Sequence, residues 1–289
     1  MRPAGDLANT VRTVLAAATA ELAAAGVASA RVEAEWLLAH VLGCGRGALL
    51  AGPPIDAEQR DRFAGLVRRR ATGIPLQHLT GRAAFRHLDL AVGPGVFVPR
   101  PETELFVELA APWLVPGATV VDLCAGSGAI ALAVANECPV GRVLAVERSP
   151  AALEWLRRNA ADRQAAGDRP VEVVAADVAA PDLLAEVAGT VSAVLTNPPY
   201  VAETLRESLP PEVAHDPDDA LYAGPDGLAL MPALIALAGR LLRPGGLLAI
   251  EHAEDQTAPV HRLLAGAWEQ VAGHPDLTGR PRFSTAVRG

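Results

Sequence analysis

The sequence of 289 residues contains no lysine, and all 25 of its basic residues are arginines. We attribute this bias to a GC-rich coding sequence, so arginine in place of lysine carries little functional information. The 33 acidic residues outnumber the basic ones and give a formal net charge of −8. A protein that grips nucleic-acid backbones without sequence preference needs clustered basic residues. The charge balance therefore argues against non-specific nucleic-acid binding.

Cysteine is scarce, with only Cys44, Cys124 and Cys138 in the whole chain. The number is odd and there is no C-x-x-C pair, so neither a disulfide framework nor a zinc site is indicated. The seven histidines show no metal-ligand spacing either. We expect no bound metal and a reducing compartment, the cytoplasm.

Long apolar runs are also missing, since no stretch approaches the ~18 uninterrupted apolar residues of a membrane span. Residues 14 to 30 (VLAAATAELAAAGVASA) imitate a secretory signal peptide. However, Asp6 lies where a basic leader belongs, and Glu21 interrupts the apolar region. We therefore expect neither a secretion signal nor a membrane partner.

The first 75 residues have the apolar spacing of helices. Apolar residues recur every three or four positions at Leu7, Val11, Leu15, Ala18 and Leu22. This stripe predicts an amphipathic helix that ends near Gly26, and a second helix is predicted from Ser29 to Gly43. A third should begin after Asp56, which forms a capping-box pattern with Gln59.

The third helix is predicted to finish with Arg68, Arg69 and Arg70 before Gly73. Basic residues in a last turn interact favourably with the helix dipole, and contact with nucleic acid is the alternative. Residues 1 to 100 hold twelve arginines and eight acidic residues, whereas residues 101 to 289 hold thirteen arginines and 25 acidic residues. The more basic N-terminal part could dock on an acidic protein partner.

From residue 76 the pattern changes from helices to strands. Residues 76 to 98 are short alternating segments broken by glycines, which predicts a β-hairpin connector. Strands are then predicted at 118 to 124, 142 to 147, 171 to 176, 191 to 196 and 246 to 251, with a weak strand near 282 to 288. Helices are predicted at 102 to 111, 128 to 137, 150 to 161 and about 227 to 242, with one more after residue 251. This alternation predicts an α/β domain whose largely parallel sheet binds ligands at the carboxyl ends of its strands.

The first predicted strand of this domain leads into the glycine-rich turn DLCAGSGAIA. Gly126 and Gly128 let the backbone approach a ligand, and the following helix directs free N–H groups at it. With Ala131 they fit the dinucleotide fingerprint, and Glu147 lies at the end of the next strand, where ribose hydroxyls are bound. The pattern fits a nicotinamide enzyme, another nucleoside-binding domain, or a purely structural tight turn.

Acidic residues lie at three successive strand ends, namely Asp122, Glu147 and Asp177. An acid inside the glycine-rich turn would be unfavourable beside a pyrophosphate, but it suits a ligand with a cationic amino-acid portion. S-adenosylmethionine carries an ammonium and a sulfonium, so it is the nucleoside that this charge pattern favours.

A fourth strand end reads VLTNPPYV, residues 194 to 201. Pro198 and Pro199 have no N–H and fix their own φ, so the strand must stop at Asn197. The carboxamide of Asn197 and the carbonyls of Asn197 and Pro198 lose their ladder partners and lie beside Tyr200. We interpret this stretch as a binding site, with a merely rigid loop as the alternative.

These motifs resemble a known family. DLCAGSGAIALA, AVERSPAAL and VLTNPPYV are similar, in order and spacing, to motifs of class I S-adenosylmethionine-dependent methyltransferases that alkylate a planar nitrogen. PLQHLTGRAAF, VGPGVFVPRPETE, HDPDDALYAGPDGLAL and LLRPGGLLAIEHAEDQ resemble the bacterial N5-glutamine methyltransferases of peptide chain release factors. The similarity spans nearly the whole chain.

The resemblance implies a Rossmann-like, mostly parallel seven-stranded sheet with helices on both faces, preceded by a small all-helical domain. The implied domains are a helical substrate-recognition domain (1 to 75), a β-hairpin connector (76 to 98) and a methyltransferase domain (99 to 289). The implied reaction moves a methyl group from S-adenosylmethionine to the glutamine of the Gly-Gly-Gln motif in release factors, and S-adenosylhomocysteine is the product.

The resemblance also implies roles for single residues. The side-chain oxygen of Asn197 and the Pro198 carbonyl would accept the two N–H bonds of the substrate amide, and Tyr200 would pack beside it as the third catalytic residue. The implied substrate-binding residues are Phe97, Asn197, Pro198, Pro199 and Tyr200. The implied cofactor-binding residues are Asp122, Cys124, Ala125, Gly126, Ser127, Gly128, Glu147, Asp177, Val178 and Asn197.

Several positions leave two interpretations open. Phe97 forms either an apolar wall over the glutamine or part of the core. Arg100, Glu102 and Glu104 either join the connector to the methyltransferase domain or shape the substrate entrance. The acidic residues between 212 and 219 either close over the substrate or form a solvated loop.

Two positions depart from the family pattern. Glu147 stands where aspartate is common, and Val178 stands where an aromatic residue often covers adenine, which predicts weaker stacking there. Two other functions also fit part of the sequence: an amino-methyltransferase acting on adenine or cytosine in nucleic acid, and an NAD(P)-dependent oxidoreductase. The acidic composition and the helical N-terminal domain disfavour the first of these.

Overall fold

A computed structural model describes residues 10 to 289 of the chain. Leu7 and Asp6, which entered the sequence-based predictions, lie outside the described residues. The described chain divides into two compact units. The first comprises the described residues up to Gly81 together with Pro211–His215, and the second comprises Arg82–Pro210 and Asp216–Gly289.

The first unit is helical, as the apolar spacing predicts. Its helices are α1 (Val11–Ala24), α2 (Ala30–Leu42), α3 (Ala57–Ala71) and α4 (Leu76–Thr80), with a 3₁₀ helix at Arg46–Ala51. The largest buried side chains of its core are Leu15, Leu22, Leu37, Leu38 and Phe63. Each helix therefore stabilises the unit by turning one apolar face inward.

The helix ends in this unit follow the local sequence. Helix α2 ends at Gly43, which has a φ of +64°. Before α3, the Gln59 N–H donates to Asp56 Oδ1 at 2.8 Å, and the Asp56 N–H donates to Gln59 Oε1 at 3.1 Å. The predicted capping box is confirmed, and it satisfies two N–H groups that would otherwise lack partners.

The three arginines at the end of α3 have different surroundings. Arg68 and Arg69 are exposed, as expected for a last turn that faces solvent. Arg70 is only 5% exposed, and its guanidinium pairs with Glu33 at 2.5 Å and with Glu212 at 2.8 Å. Within the first unit, Arg70 therefore connects α3 to α2 and to the 211–215 segment.

The second unit contains a hairpin and a seven-stranded sheet. The hairpin pairs β1 (Arg82–Phe85) with β2 (Leu88–Ala91). The sheet contains β3 (Thr119–Leu123), β4 (Arg142–Glu147), β5 (Val171–Ala175), β6 (Val191–Thr196), β7 (Leu242–Glu251), β8 (Trp268–Pro275) and β9 (Pro281–Arg288). The strand order is β5-β4-β3-β6-β7-β9-β8, and β9 runs in the direction opposite to the other six strands. The predicted mostly parallel sheet is confirmed.

Helices cover both faces of this sheet. They are α5 (Phe106–Ala110), α6 (Ala129–Glu137), α7 (Pro150–Ala165), α8 (Asp218–Leu221), α9 (Met231–Leu241) and α10 (Thr257–Leu264). Successive side chains of a strand point to opposite faces. Val120 of β3 accordingly packs in one apolar layer with Leu132 of α6, and Val121 packs in the other layer with Leu234 of α9.

The structure differs from the predicted elements in several places, and residues 76 to 80, predicted as part of the hairpin connector, form helix α4. The helix predicted at 102 to 111 is divided into three short elements: a 3₁₀ helix at Pro101–Leu105, α5, and a second 3₁₀ turn at Ala111–Trp113. Helix α5 does not continue because Pro112 cannot donate a helical hydrogen bond. Strand β8 was not predicted. It is a mostly exposed edge strand that contains Gly273 and Pro275, so it lacks a buried apolar pattern.

Helix α9 begins at Met231 rather than near residue 227 because Gly227 is in the left-handed region, with a φ of +74°. A Cβ atom at Gly227 would overlap the carbonyl oxygen of Tyr200. The backbone at Gly227 is thus packed directly against the NPPY turn, residues 197 to 200.

Replacing Gly227 by alanine should lower the free energy of unfolding by more than backbone strain alone accounts for. Gly189 is the matched control, since its φ is +70° and no atom lies within 4 Å of a Cβ built there. We expect Gly189→Ala to cost about 1 to 2 kcal/mol for the left-handed conformation. Gly227→Ala should cost clearly more in urea unfolding, and equal losses would mean that the contact with Tyr200 is unimportant.

Candidate active site

A cavity lies at the carboxyl ends of β3, β4, β5 and β6 in the second unit. Strand β3 is flanked by β4 on one side and β6 on the other, so the cavity lies at the topological switch point. Twelve of the fourteen predicted site residues line it: Phe97, Cys124, Ala125, Gly126, Ser127, Glu147, Asp177, Val178, Asn197, Pro198, Pro199 and Tyr200. The fold therefore brings together motifs that are up to 100 residues apart.

The glycine-rich turn forms one wall of this cavity. Cys124 and Gly126 have φ values of +63° and +56°. No atom lies within 4 Å of a Cβ built on Gly126, so its backbone is open to a ligand. Burial raises the pKa of the Cys124 thiol, which is therefore a neutral part of the wall and not a nucleophile.

The two predicted residues outside the cavity lining are Asp122 and Gly128. A Cβ on Gly128 would come within 2.5 Å of Leu156, so this glycine permits close helix packing. The buried Asp122 carboxylate accepts the Ala131 N–H at 3.0 Å, in the first turn of α6. Burial raises the Asp122 pKa to about 8, which leaves the group largely protonated at neutral pH. Contact between Asp122 and the cationic part of a ligand stays a prediction.

Glu147 is a carboxylate fixed by backbone N–H groups. Its Oε2 accepts from Gly126 at 2.8 Å, and its Oε1 accepts from Arg148 at 2.8 Å and from Ser149 at 2.7 Å. Glu147 is 8% exposed and lines the cavity. A carboxylate oxygen can accept two hydrogen bonds, so Oε2 retains capacity for a ligand hydroxyl.

The next strand end supplies a second acid and an apolar surface. Asp177 accepts the Ala179 N–H at 2.8 Å, and this bond is the main reason that its pKa is lowered. Val178, at the position where an aromatic residue was expected, is buried and lines the cavity together with Ile130 and Leu221. A flat ring would thus meet aliphatic side chains here.

The NPPY turn forms another part of the cavity lining. Just before it, the Thr196 hydroxyl donates to the Leu123 carbonyl at 2.7 Å, which fixes the end of β6 against β3. After it, the Tyr200 carbonyl accepts from Gln256 Nε2 at 2.9 Å, and the Val201 N–H donates to Leu221 at 2.8 Å. The turn is therefore held on both sides as well as stiffened by its prolines.

Two residues beside this turn were not predicted as site residues. Glu251, at the end of β7, accepts from the Thr103 hydroxyl at 2.7 Å and from the Tyr200 hydroxyl at 3.1 Å. Thr103 in turn accepts from Asn197 Nδ2 at 3.2 Å. Glu251 is an acid at a parallel strand end, the signal that identified Glu147, whereas nothing in the sequence distinguishes Thr103.

Burial is the largest cause of the pKa shifts of Glu251 and Tyr200. Glu251 has no exposed surface, and burial raises its pKa to about 7 although the bonds from Thr103 and Tyr200 oppose that shift. Burial also raises the pKa of the Tyr200 phenol. Tyr200 therefore stays protonated and donates its hydroxyl hydrogen to the carboxylate.

The structure gives contacts for Phe97 and for two residues of the PRPETE segment, residues 99 to 104. Phe97 is half-buried and lines the cavity, and the Arg100 guanidinium lies 5.1 Å from the centre of its ring. Arg100 pairs with the buried Asp216 at 2.5 Å, and Asp216 also accepts the Val98 N–H at 3.1 Å. Arg100 thus stabilises the segment that carries Phe97. Glu104 has a similar structural contact, since it accepts the Arg86 N–H at 3.0 Å.

The acidic residues from 212 to 219 do not act as one group. Glu212 belongs to the first unit and pairs with Arg70. In the second unit, Asp216 is buried whereas Asp219 lines the cavity. Of these three acids, only Asp219 is placed to meet a molecule in the cavity.

Residues 10 to 289 lack a helix that could span a membrane and a side-chain cluster that could hold a metal ion. No helix in that range is long and apolar enough to cross a membrane. The same residues include no cluster of three or more His, Cys, Asp or Glu side chains that could hold a metal ion. His252 is fully buried and contacts Ser284 at 2.8 Å, which agrees with its predicted structural role.

Comparison with known proteins gives matches along most of the chain. Residues 13–81 match the family model described as the PrmC N-terminal domain, and residues 88–209 match the methyltransferase small domain. A release factor glutamine methyltransferase of Mycolicibacterium smegmatis is 52% identical, over 96% of this chain and 98% of the relative. A protein of the same name from Streptomyces coelicolor is 47% identical, over 96% and 98%.

The fold has relatives among solved structures. A methyltransferase from Pyrococcus furiosus superposes with a TM-score of 0.53 at 19% identity and covers 71% of this chain and 91% of its own. At this identity the likeness concerns the fold alone, and it agrees with the sheet described above.

Proposed function

The chain belongs to the release factor glutamine methyltransferase family, and from that premise we propose that it methylates the side-chain nitrogen (N5) of the glutamine in the Gly-Gly-Gln motif of release factors. One observation carries this proposal. The acceptors of Asn197 and Pro198 line the same cavity as Gly126 and Glu147. Amide acceptors and a nucleoside-binding strand end thus face one space.

Other residues that line the cavity suit S-adenosylmethionine, which supplies a methyl group already activated on a sulfonium. Glu147 would accept from the ribose hydroxyls, since its carboxylate is fixed and has remaining acceptor capacity. Val178 and Ile130 would contact the adenine, and the open backbone at Gly126 would lie against the amino-acid portion. Asp177 would contact the nucleoside near the same wall.

A carboxamide nitrogen is a poor nucleophile because its lone pair is delocalised into the carbonyl. The Asn197 side-chain oxygen and the Pro198 carbonyl would accept its two N–H bonds and direct the remaining lobe toward the methyl group. They would also stabilise the positive charge that grows on nitrogen as the new N–C bond forms. The proton becomes acidic only after alkylation and can then leave to water, so no strong base is required.

Methyl transfer from labelled S-adenosylmethionine identifies the substrate atom. With labelled S-adenosylmethionine, label should appear on a release factor and be lost when the Gly-Gly-Gln glutamine is replaced by alanine. Asn197→Ala should lower kcat about a hundredfold, the scale for removing one preorganised contact to developing charge. Asn136→Ala is the control, because Asn136 lies on α6 with its amide bonded to Asp168.

An unlabelled release factor, tested with an enzyme that still binds S-adenosylmethionine, would contradict the proposal. The exocyclic amines of nucleic acid would then be the next substrates to test. Equal activity of Asn197→Ala and Asn136→Ala would contradict the role of the turn.

We further propose that the N-terminal helices, predicted as a domain of residues 1 to 75, recognise the release factor in the cytoplasm. Arg68 and Arg69 are exposed near the end of α3 and carry no acidic partner within 4 Å among the described ion pairs. They could therefore meet an acidic surface of the substrate.

Reversing these charges tests that role. Arg68→Glu with Arg69→Glu should raise KM for intact release factor about tenfold, a typical effect of rim charges on encounter, and leave the Kd of S-adenosylmethionine unchanged. The matched control is Arg157→Glu with Arg158→Glu, which reverses two adjacent exposed arginines on α7. Equal KM values for the two double variants would contradict recognition through α3.

A further inference from the structure

The carboxylate of Glu251 is the acceptor for two hydroxyl groups from different segments. Thr103 donates to Oε2 at 2.7 Å and Tyr200 donates to Oε1 at 3.1 Å. Glu251 touches no solvent. In its charged form Glu251 has no hydrogen and can only accept, so both hydroxyl hydrogens are committed to it.

The bond from the Thr103 hydroxyl to Glu251 determines whether the Thr103 oxygen donates to Asn197 or accepts from it. A hydroxyl has one hydrogen, and the bond to Glu251 uses it. Toward Asn197, at 3.2 Å, the Thr103 oxygen can therefore only accept. The atom of Asn197 that faces Thr103 must then be the amide nitrogen, because two oxygens without a hydrogen between them would repel.

The orientation of the Asn197 carboxamide follows from this requirement. An asparagine side chain can present either its oxygen or its NH₂ group after a flip of 180°, and the hydrogen-bond network decides between them. With Nδ2 held by Thr103, the oxygen is left to accept from a molecule in the cavity. A flipped side chain would present donors to a substrate amide that also carries donors, and the hydrogen bond that orients the substrate amide would be lost.

We propose that Glu251 and Thr103 are positioning residues that set the Asn197 carboxamide with its oxygen toward the substrate amide. The inference rests on the proposed function, because it concerns how the acceptor for the glutamine N–H is oriented. Neither residue needs to touch the substrate. Both act through Asn197, and Glu251 also fixes the ring of Tyr200 through its hydroxyl.

A purely structural role for Thr103 would give a different result on substitution. If the hydroxyl only ties the Pro101–Leu105 helix to β7, its loss should lower stability and affect all ligands together. If it orients Asn197, its loss should lower kcat at undiminished cofactor affinity, since the hydrogen bonds that fix Glu147 and Gly126 do not involve Thr103. Valine has the shape of threonine without the hydroxyl, and serine keeps the hydroxyl.

The test compares Thr103→Val with Thr103→Ser. The readouts are kcat and KM with release factor, the Kd of S-adenosylmethionine by calorimetry, and Tm. We expect Thr103→Val to lower kcat between about tenfold and a hundredfold, the scale for a misoriented reacting group, with the cofactor Kd within about twofold. Thr103→Ser should retain most of the wild-type kcat.

A double-mutant cycle adds a readout that a structural role would not produce. If Thr103 acts through Asn197, then Thr103→Val should cost little in an enzyme that already carries Asn197→Ala. Additive losses in the cycle would overturn the inference, and so would equal kcat values for Thr103→Val and wild type. If Thr103→Val does not fold, the same cycle is run with Glu251→Gln and the same outcomes decide.

Failure of this inference is distinguishable from failure of the proposed function. Wild-type enzyme that labels the glutamine while Thr103→Val is equally fast would overturn the positioning role alone. Wild-type enzyme that leaves the release factor unlabelled would overturn the proposed function, and the positioning role with it.

Discussion

A single carboxylate without access to water connects three segments that are distant in sequence. Glu251 ends β7, Thr103 lies in a 3₁₀ helix before the sheet begins, and Tyr200 follows β6. An unpartnered carboxylate in this position would be strongly destabilising, so the two hydroxyls must remain where they are. The direction of the Asn197 amide and the position of the Tyr200 ring both depend on this one interaction.

The sheet explains why such an interaction can form. Parallel strands end at a common edge, and the order β4-β3-β6-β7 places four of these ends side by side. Glu147 at the end of β4 lines the cavity, whereas Glu251 at the end of β7 is fully buried and accepts from the Tyr200 hydroxyl. Glu147 and Glu251 both end parallel strands, but they have different roles because Glu147 lines the cavity and Glu251 is buried against Tyr200.

Much of the fold and of the cavity lining could be predicted from sequence, because strand ends, glycines and the Pro198-Pro199 pair have strong local preferences. Edge strand β8 could not, since an exposed strand needs no apolar alternation. Asp122 was correctly placed at a strand end, but whether its side chain enters the cavity depends on packing against α6. Thr103 was missed because its importance comes from contacts with Asn197 and Glu251, which lie 94 and 148 positions further along the chain.

The pH dependence of kcat with release factor tests the network most directly. Glu251 has a pKa raised to about 7, and the groups that act on it are Thr103, Tyr200, Glu102 and Arg282. Its charged form is the one that must accept both hydroxyls, so kcat should fall several-fold as pH decreases through about 7. Glu251→Gln should be slow and should lack this step, although Asp122 still titrates. A wild-type profile that is flat between pH 6 and about 8, or one shared by Glu251→Gln, would contradict the role of the carboxylate.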